Sequence, residues 1–205
     1  MRIRELVKTI WFTLIIAACF AIAMGYLEAA AVIYLRALFK IVGEIQPAPP
    51  DSNSVLIALP FFAFLQPHYL FNILPDSKIL GVELFRETAT IVMLVTVGWL
   101  TGRNLREKFA FFLYVFGLWD IFYYIFLYLI LGWPASLKTF DVLFLIPVPW
   151  VAPVFVPVGI SLLMILSALI LINPQATSQK IKSRFFGGKI KLFNLTGNSK
   201  KRKMG

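Results

Sequence analysis

The sequence predicts an all-α, polytopic transmembrane bundle of about four spanning helices plus one re-entrant or interfacial helical segment. Three observations predict it. Of the 205 residues 60% are hydrophobic and the mean hydropathy is +0.82, whereas a soluble domain is roughly 45–50% apolar. Apolar runs recur at the ~20-residue length that spans a bilayer. The basic residues gather at the same ends of those runs, as the positive-inside rule requires of a multi-pass protein.

Arg2, Arg4 and Lys8 precede the first run, which is read as a span over about 10–36. Ile16-Ala17-Ala18-Cys19 has the form of a lipoprotein cleavage box, but the apolar stretch continues to about Phe39. That is too long for a signal h-region, so a signal anchor is expected. Gln46 to Ser54, with Pro47, Pro49 and Pro50, breaks the run. Val55–Leu74 has spanning length but contains Pro60, Pro67 and His68. Asp76 or Ser77 is the expected N-cap of the next helix, over about 78–101. A basic turn, Gly102 to Lys108, leads to the third run, about 109–131. Gly132-Trp133-Pro134 ends it, and Pro147, Pro149 and Pro153 exclude a regular helix through 141–153. The last run covers about 154–172, and Asn173-Pro174 opens a basic tail, 173–205.

Charge sets the direction of the chain. If 55–74 does not cross, both termini are cytoplasmic and fifteen of the 20 Lys and Arg lie on the cytoplasmic side. If it crosses, the basic turn and the tail move outside, against the rule. The segments 55–74 and 141–153 are therefore read as re-entrant or interfacial, both on the outer side of a cell membrane, by default a prokaryotic inner membrane. Non-helical backbone at that depth needs protein or a wet cavity around it. In the tail, Lys180, Lys182, Arg184, Lys189 and Lys191 are interleaved with Phe185, Phe186, Leu192 and Phe193, which suits an anionic lipid surface or a plain retention tail. Because the charge follows the ends of apolar runs, no nucleic-acid partner is expected. One Cys and one His exclude an internal disulfide framework, a His-rich zinc site and a bis-His haem held by this chain alone. No glycine-rich nucleotide loop occurs, and no cofactor is assigned.

An ionisable side chain at the bilayer centre costs ~2.5–3.5 kcal/mol on insertion scales. Glu28, Glu83, Arg86, Glu87 and Asp120 nevertheless fall inside the apolar runs, all in the outer half on this topology. Glu83 and Glu87 are four residues apart and share a helix face, which Thr90 continues. Arg86, three residues from Glu83, is placed to pair with it. Asp120 and Tyr124 repeat the four-residue spacing on the next helix. These six are the predicted buried polar cluster, with Arg36, His68 and Asp141 as outer-face candidates. Three readings stay open: an interhelical ion-pair network that fixes packing, a polar cavity for a substrate, ion or proton, and a carboxylate-bridged metal site. For the last no Glu-x-x-His pair is present, so no metal ligand is assigned. The aromatics of Phe109–Tyr128 are expected mostly to face lipid. Ala17, Ala18, Ala21, Gly25, Gly98 and Gly102 are expected at close helix contacts.

The strings Trp119-Asp120-Ile121-Phe122-Tyr123-Tyr124, Gly132-Trp133-Pro134 and Asp141-Val142-Leu143-Phe144-Leu145-Ile146-Pro147-Val148-Pro149-Trp150 resemble those of a family of small polytopic membrane proteins without an assigned activity. Tyr34-Leu35-Arg36 and Arg86-Glu87 are similar to the same group. The resemblance spans most of residues 25–160. It implies an integral membrane protein and brings no activity, cofactor or substrate. The residues themselves place first a non-catalytic membrane subunit or interaction protein in the lipid bilayer, beside other membrane-protein subunits or as a homodimer. A small transporter or proton/cation-conducting protein is one alternative. An intramembrane enzyme acting on a lipid-like substrate is another, with Glu83 or Glu87 as acid/base, Arg86 as anion stabiliser, and Asp120 with Tyr124 as a second polar pair.

Overall fold

A computed structural model describes residues 3–38, 55–69, 71 and 76–172. The chain is mostly helical, with α1 (Ile3–Leu38), α2 (Ser77–Thr101), α3 (Leu105–Leu131) and α4 (Phe155–Ile172). Among the described residues, α1 from Ile10, α3 and α4 are long and apolar enough to cross a membrane. α2 is 25 residues long, but its N-terminal half carries Lys78, Glu83, Arg86 and Glu87.

Local chemistry fixes the helix ends. Asp76 is the N-cap of α2: its Oδ1 accepts from the backbone N–H of Lys78 at 2.8 Å and of Ile79 at 3.4 Å. Asn104 caps α3 by accepting from the Glu107 N–H at 3.1 Å, while Glu107 Oε2 accepts from the Arg103 N–H at 3.0 Å. Such pairs satisfy donors that the first turn leaves free. α3 therefore starts at Leu105 rather than 109, and the basic turn shrinks to Gly102–Asn104. At the other end Gly132 adopts φ 67°, a left-handed C-cap, and its N–H reaches Tyr128 O.

α3 is the central helix, packed on α1, α2 and α4. Each contact is made at a glycine. A Cβ added at Gly25 would lie 2.9 Å from Trp119 O, at Gly98 2.8 Å from Phe112 Cβ, and at Gly117 2.6 Å from Ser161 O. Small residues let the backbones approach, the packing mode available when lipid supplies no hydrophobic drive between helices. Leu14, Ala17, Ala21 and Met24 of α1 meet Leu94 of α2, Ala110, Phe111, Val115 and Trp119 of α3, and Ile172 of α4 in the main core. The aromatics of α3 are thus divided: Phe111, Trp119 and Tyr124 are buried, while Phe109 and Tyr128 are exposed.

The all-α expectation needs correction. Among the described residues of 55–74, where the sequence predicts a helical segment, β1 (Val55–Ala58) and β2 (Ala63–Leu65) are strands, and with β3 (Phe140–Phe144) and β4 (Trp150–Pro153) they form one four-stranded antiparallel sheet in the order β1-β2-β4-β3. The reason is physical. Pro60 and Pro67 in one segment, and Pro147, Pro149 and Pro153 in the other, deny either a continuous helix. They leave stretches of three to five residues, rich in Val, Leu and Phe, whose backbone groups find most of their partners across strands. Ala63 pairs with Val151 and Phe64 with Trp150, which joins the two segments into one layer. Pro67–Tyr69 is a short 3-10 turn. β3 and β4 join the end of α3 to the start of α4, and the sheet reaches inward as far as the middle of α3. Trp150 stacks between Phe64, at 5.9 Å, and Phe144, at 5.7 Å, and Phe144 in turn meets Phe116 and Trp119 of α3.

Candidate functional site

A cavity of about 250 Å³ lies where the four helices meet the sheet. α1 contributes Glu28 and Arg36 to its wall, α2 contributes Glu83, Arg86 and Glu87, α3 contributes Asp120 and Tyr124, and β3 contributes Asp141. Eight residues singled out in the sequence are thus brought to one space. The helical periodicity explains the helix contributions: Glu28 and Arg36 are eight residues apart on α1, and Glu83 with Glu87 and Asp120 with Tyr124 are four apart. His68 is exposed in the 3-10 turn and does not line the cavity. Arg36 and Asp141, assigned above to the outer face, instead face the cavity, and Arg36 is only 8% exposed. Lys180, Lys182, Arg184, Lys189 and Lys191, with the rest of the tail, lie outside the described residues.

The charges divide into an ion-paired group and a group without cations in contact. Arg86 Nε donates to Glu83 Oε2 at 2.9 Å, its Nη2 meets Glu83 Oε1, and its Nη1 meets Glu28 Oε1. Thr90 Oγ1 donates to Glu28 Oε2 at 3.3 Å. One guanidinium therefore pairs with Glu83 on its own helix and ties α2 to α1 through Glu28. Among the described residues these are the ion pairs.

The remaining carboxylates are held by neutral donors. Both oxygens of Glu87 accept from the backbone N–H of Leu145, at 3.1 and 3.0 Å. Asp120 Oδ2 accepts from the Ser161 hydroxyl at 2.8 Å. Asp141 Oδ2 accepts from the Tyr124 hydroxyl at 2.9 Å, and its Oδ1 from the Val142 N–H at 2.9 Å. Burial pushes the Asp141 carboxyl up to about 6, against the Tyr124 hydroxyl, Arg36 and the Val142 N–H, which all favour the ionised form. The Arg36 guanidinium sits over the Trp133 ring, 4.1 Å from its centroid, a cation–π contact.

Sequence reasoning missed Ser161, Trp119 and Trp150, which also line the cavity. Ser161 left a signal, one of two hydroxyls, with Ser167, in the otherwise apolar run of α4. Trp150 left none, because its place depends on the pairing of β2 with β4. The indole N–H groups of Trp119 and Trp150 are sealed from solvent and find no acceptor. Among the described residues, no group of three or more His, Cys, Asp or Glu is disposed to hold a metal ion. The wall supplies acceptors for cations and hydrogen-bond donors on one part of its surface and aromatic faces on another. Comparison of the chain with family models, with curated proteins and with solved structures returns no match.

Proposed function

We propose that the chain is a small multi-pass transporter whose cavity receives an amine-bearing solute from the outer side of the membrane. The observation that carries this reading is the excess of carboxylates in one cavity: five against two guanidiniums, with three of the five held by neutral donors alone. A network that served packing alone would consume its charges in pairs. Here pairing accounts for Glu28, Glu83 and Arg86, while Glu87, Asp120 and Asp141 keep acceptor capacity turned to the cavity. This favours solute binding over the non-catalytic subunit that the sequence placed first. Discrete embedded charge facing a cavity is also how membrane transporters mark their substrate paths.

In this reading α2 is a fourth span, its charged first turns facing protein and its exposed Val82, Phe85, Val92, Trp99 and Leu100 facing lipid. The sheet then lies at the outer end and the Gly102–Asn104 turn at the cytoplasmic end, so that both termini are cytoplasmic. The four-span topology is supported by charge placement, and the outward site by its position beneath the sheet. The test is uptake of labelled ethanolamine and phosphoethanolamine into proteoliposomes holding the purified full chain. Wild type should take up at least one of them, and Glu87→Gln should lower the rate at least tenfold. Equal rates in the two proteins, or no uptake by wild type, would remove the transport reading.

A further inference from the structure

Arg36 is the one cation of the cavity wall, among the described residues, that is in no ion pair. It is buried, at 8% exposure, and among the described residues no carboxylate lies within ion-pair distance of it. Its Nε is sealed from solvent and makes no hydrogen bond. A buried guanidinium normally satisfies its forked donors with a carboxylate, a phosphate or carbonyls. Here the face of Trp133 holds the cation in place at 4.1 Å without supplying an acceptor in the plane of the fork. Arg36 lies eight residues beyond Glu28 on α1, a rise of ~12 Å along the helix. The cavity therefore presents a cation towards the sheet end of α1 and its Glu28–Arg86–Glu83 group deeper in the bundle. Glu87 and Asp120, free of ion pairs, join the wall from α2 and α3.

We infer that the solute is a zwitterion: its phosphate or carboxylate docks on Arg36, and its ammonium faces Glu87 and Asp120. This rests on the cavity being a solute site, and names the solute's class. The size agrees. The cavity, of about 250 Å³, has room for a small zwitterion. Phosphoethanolamine has this chemistry as a free solute and as the headgroup of a zwitterionic lipid.

The experiment is calorimetric titration of the full chain in phosphatidylglycerol nanodiscs with phosphoethanolamine, β-alanine, ethanolamine and inorganic phosphate. Wild type should bind one of the two zwitterions at least tenfold more tightly than ethanolamine or phosphate. Arg36→Gln should lose that preference, keep its affinity for ethanolamine, and melt no lower than wild type. Arg36→Lys should retain part of the preference. Equal affinity of wild type for ethanolamine and both zwitterions overturns the inference and leaves the cation site standing. A zwitterion preference that survives in Arg36→Gln, with a lowered melting temperature, shows Arg36 to be structural and also overturns it. Absence of any binding, in wild type and in Glu87→Gln alike, removes the solute site itself. Repeating the titration in phosphatidylethanolamine nanodiscs separates the sources. Suppressed phosphoethanolamine binding there assigns the site to the lipid headgroup, and unchanged binding assigns it to the free solute.

Discussion

Arg86→Met tests the interhelical tie most directly. The substitution keeps an unbranched apolar stem and removes the guanidinium that serves Glu83 through two nitrogens and Glu28 through a third. The side chains are 24% exposed for Arg86, 13% for Glu28 and 10% for Glu83, so little water is at hand to take its place. Removing one partner of a buried pair costs ~3–5 kcal/mol, because the charge left behind is uncompensated. The residual exposure of Arg86 puts the expected loss near the lower end, about 3 kcal/mol. In a chain of this size ~1 kcal/mol moves the melting temperature by ~2–4 °C, which gives a drop of about 6–12 °C. The assay is thermal unfolding of the purified protein in one detergent, followed by tryptophan fluorescence. The triple variant Glu28→Gln, Glu83→Gln, Arg86→Met removes all three charges together and should return to within ~1 kcal/mol of wild type, since neutralising a whole buried network is nearly free. A loss below ~1 kcal/mol in Arg86→Met, or a triple variant no better than the single one, would refute the claim that compensation of Glu28 and Glu83 is what Arg86 provides.

Ser161→Ala removes the donor to Asp120 from a residue that is 1% exposed and should cost ~1.5–3 kcal/mol, read by the same melt, with Ser161→Thr as the variant that keeps a hydroxyl. Gly117→Ala should cost ~1–3 kcal/mol by overpacking, because the new Cβ would meet the Ser161 carbonyl at 2.6 Å. Gly81→Ala, where nothing lies within 4 Å, should be neutral or gain up to ~1 kcal/mol of helix propensity. Asp141 supplies a pH dependence. Its carboxyl is held at about 6, above its ordinary 3.8, so the folded protein binds the proton more tightly than the unfolded chain does. That contribution is fully present below pH ~4 and lost as pH rises through ~6, amounting to about 3 kcal/mol over the two-unit difference. The stability of Asp141→Asn relative to wild type should therefore rise by that amount between pH 4 and pH 7. A flat difference would show that burial at Asp141 does not favour its neutral form.

The helices were legible because each rests on a local signal. The apolar run over 78–101 and the helix Ser77–Thr101 agree within one residue, and Asp76 stands at its start. The third helix begins four residues earlier than hydropathy suggests, because Asn104 and Glu107 form a cap inside a basic stretch that hydropathy reads as loop. The sheet was not legible. Its strands are three to five residues long, and the pairing of Ala63 with Val151 joins positions 88 residues apart. Proline spacing shows where a helix cannot run but not what replaces it. The cluster was half legible. Four-residue spacing collects Glu83 with Glu87 and Asp120 with Tyr124 on their own helices. Nothing in the sequence shows that Asp141 and Arg36 turn inward, since one depends on the register of β3 and the other on the ring of Trp133.

The sheet and the carboxylates explain each other. A proline-rich layer set against an apolar bundle has backbone donors that its own short strands do not use, and an unpaired buried N–H costs as much as a lost hydrogen bond. The Leu145 N–H, just past the end of β3, is such a donor, and Glu87 of α2 takes it with both oxygens. The Val142 N–H turns to Asp141, whose second oxygen holds Tyr124 of α3. The layer is thus fastened to two helices through groups that also line the cavity. Exchanging these carboxylates for apolar residues would free backbone donors of the sheet, so Glu87 and Asp141 cannot be read as binding groups only. For that reason isosteric amides, which still accept through their carbonyl oxygen, are the substitutions that separate a solute-binding role from the anchoring of the sheet.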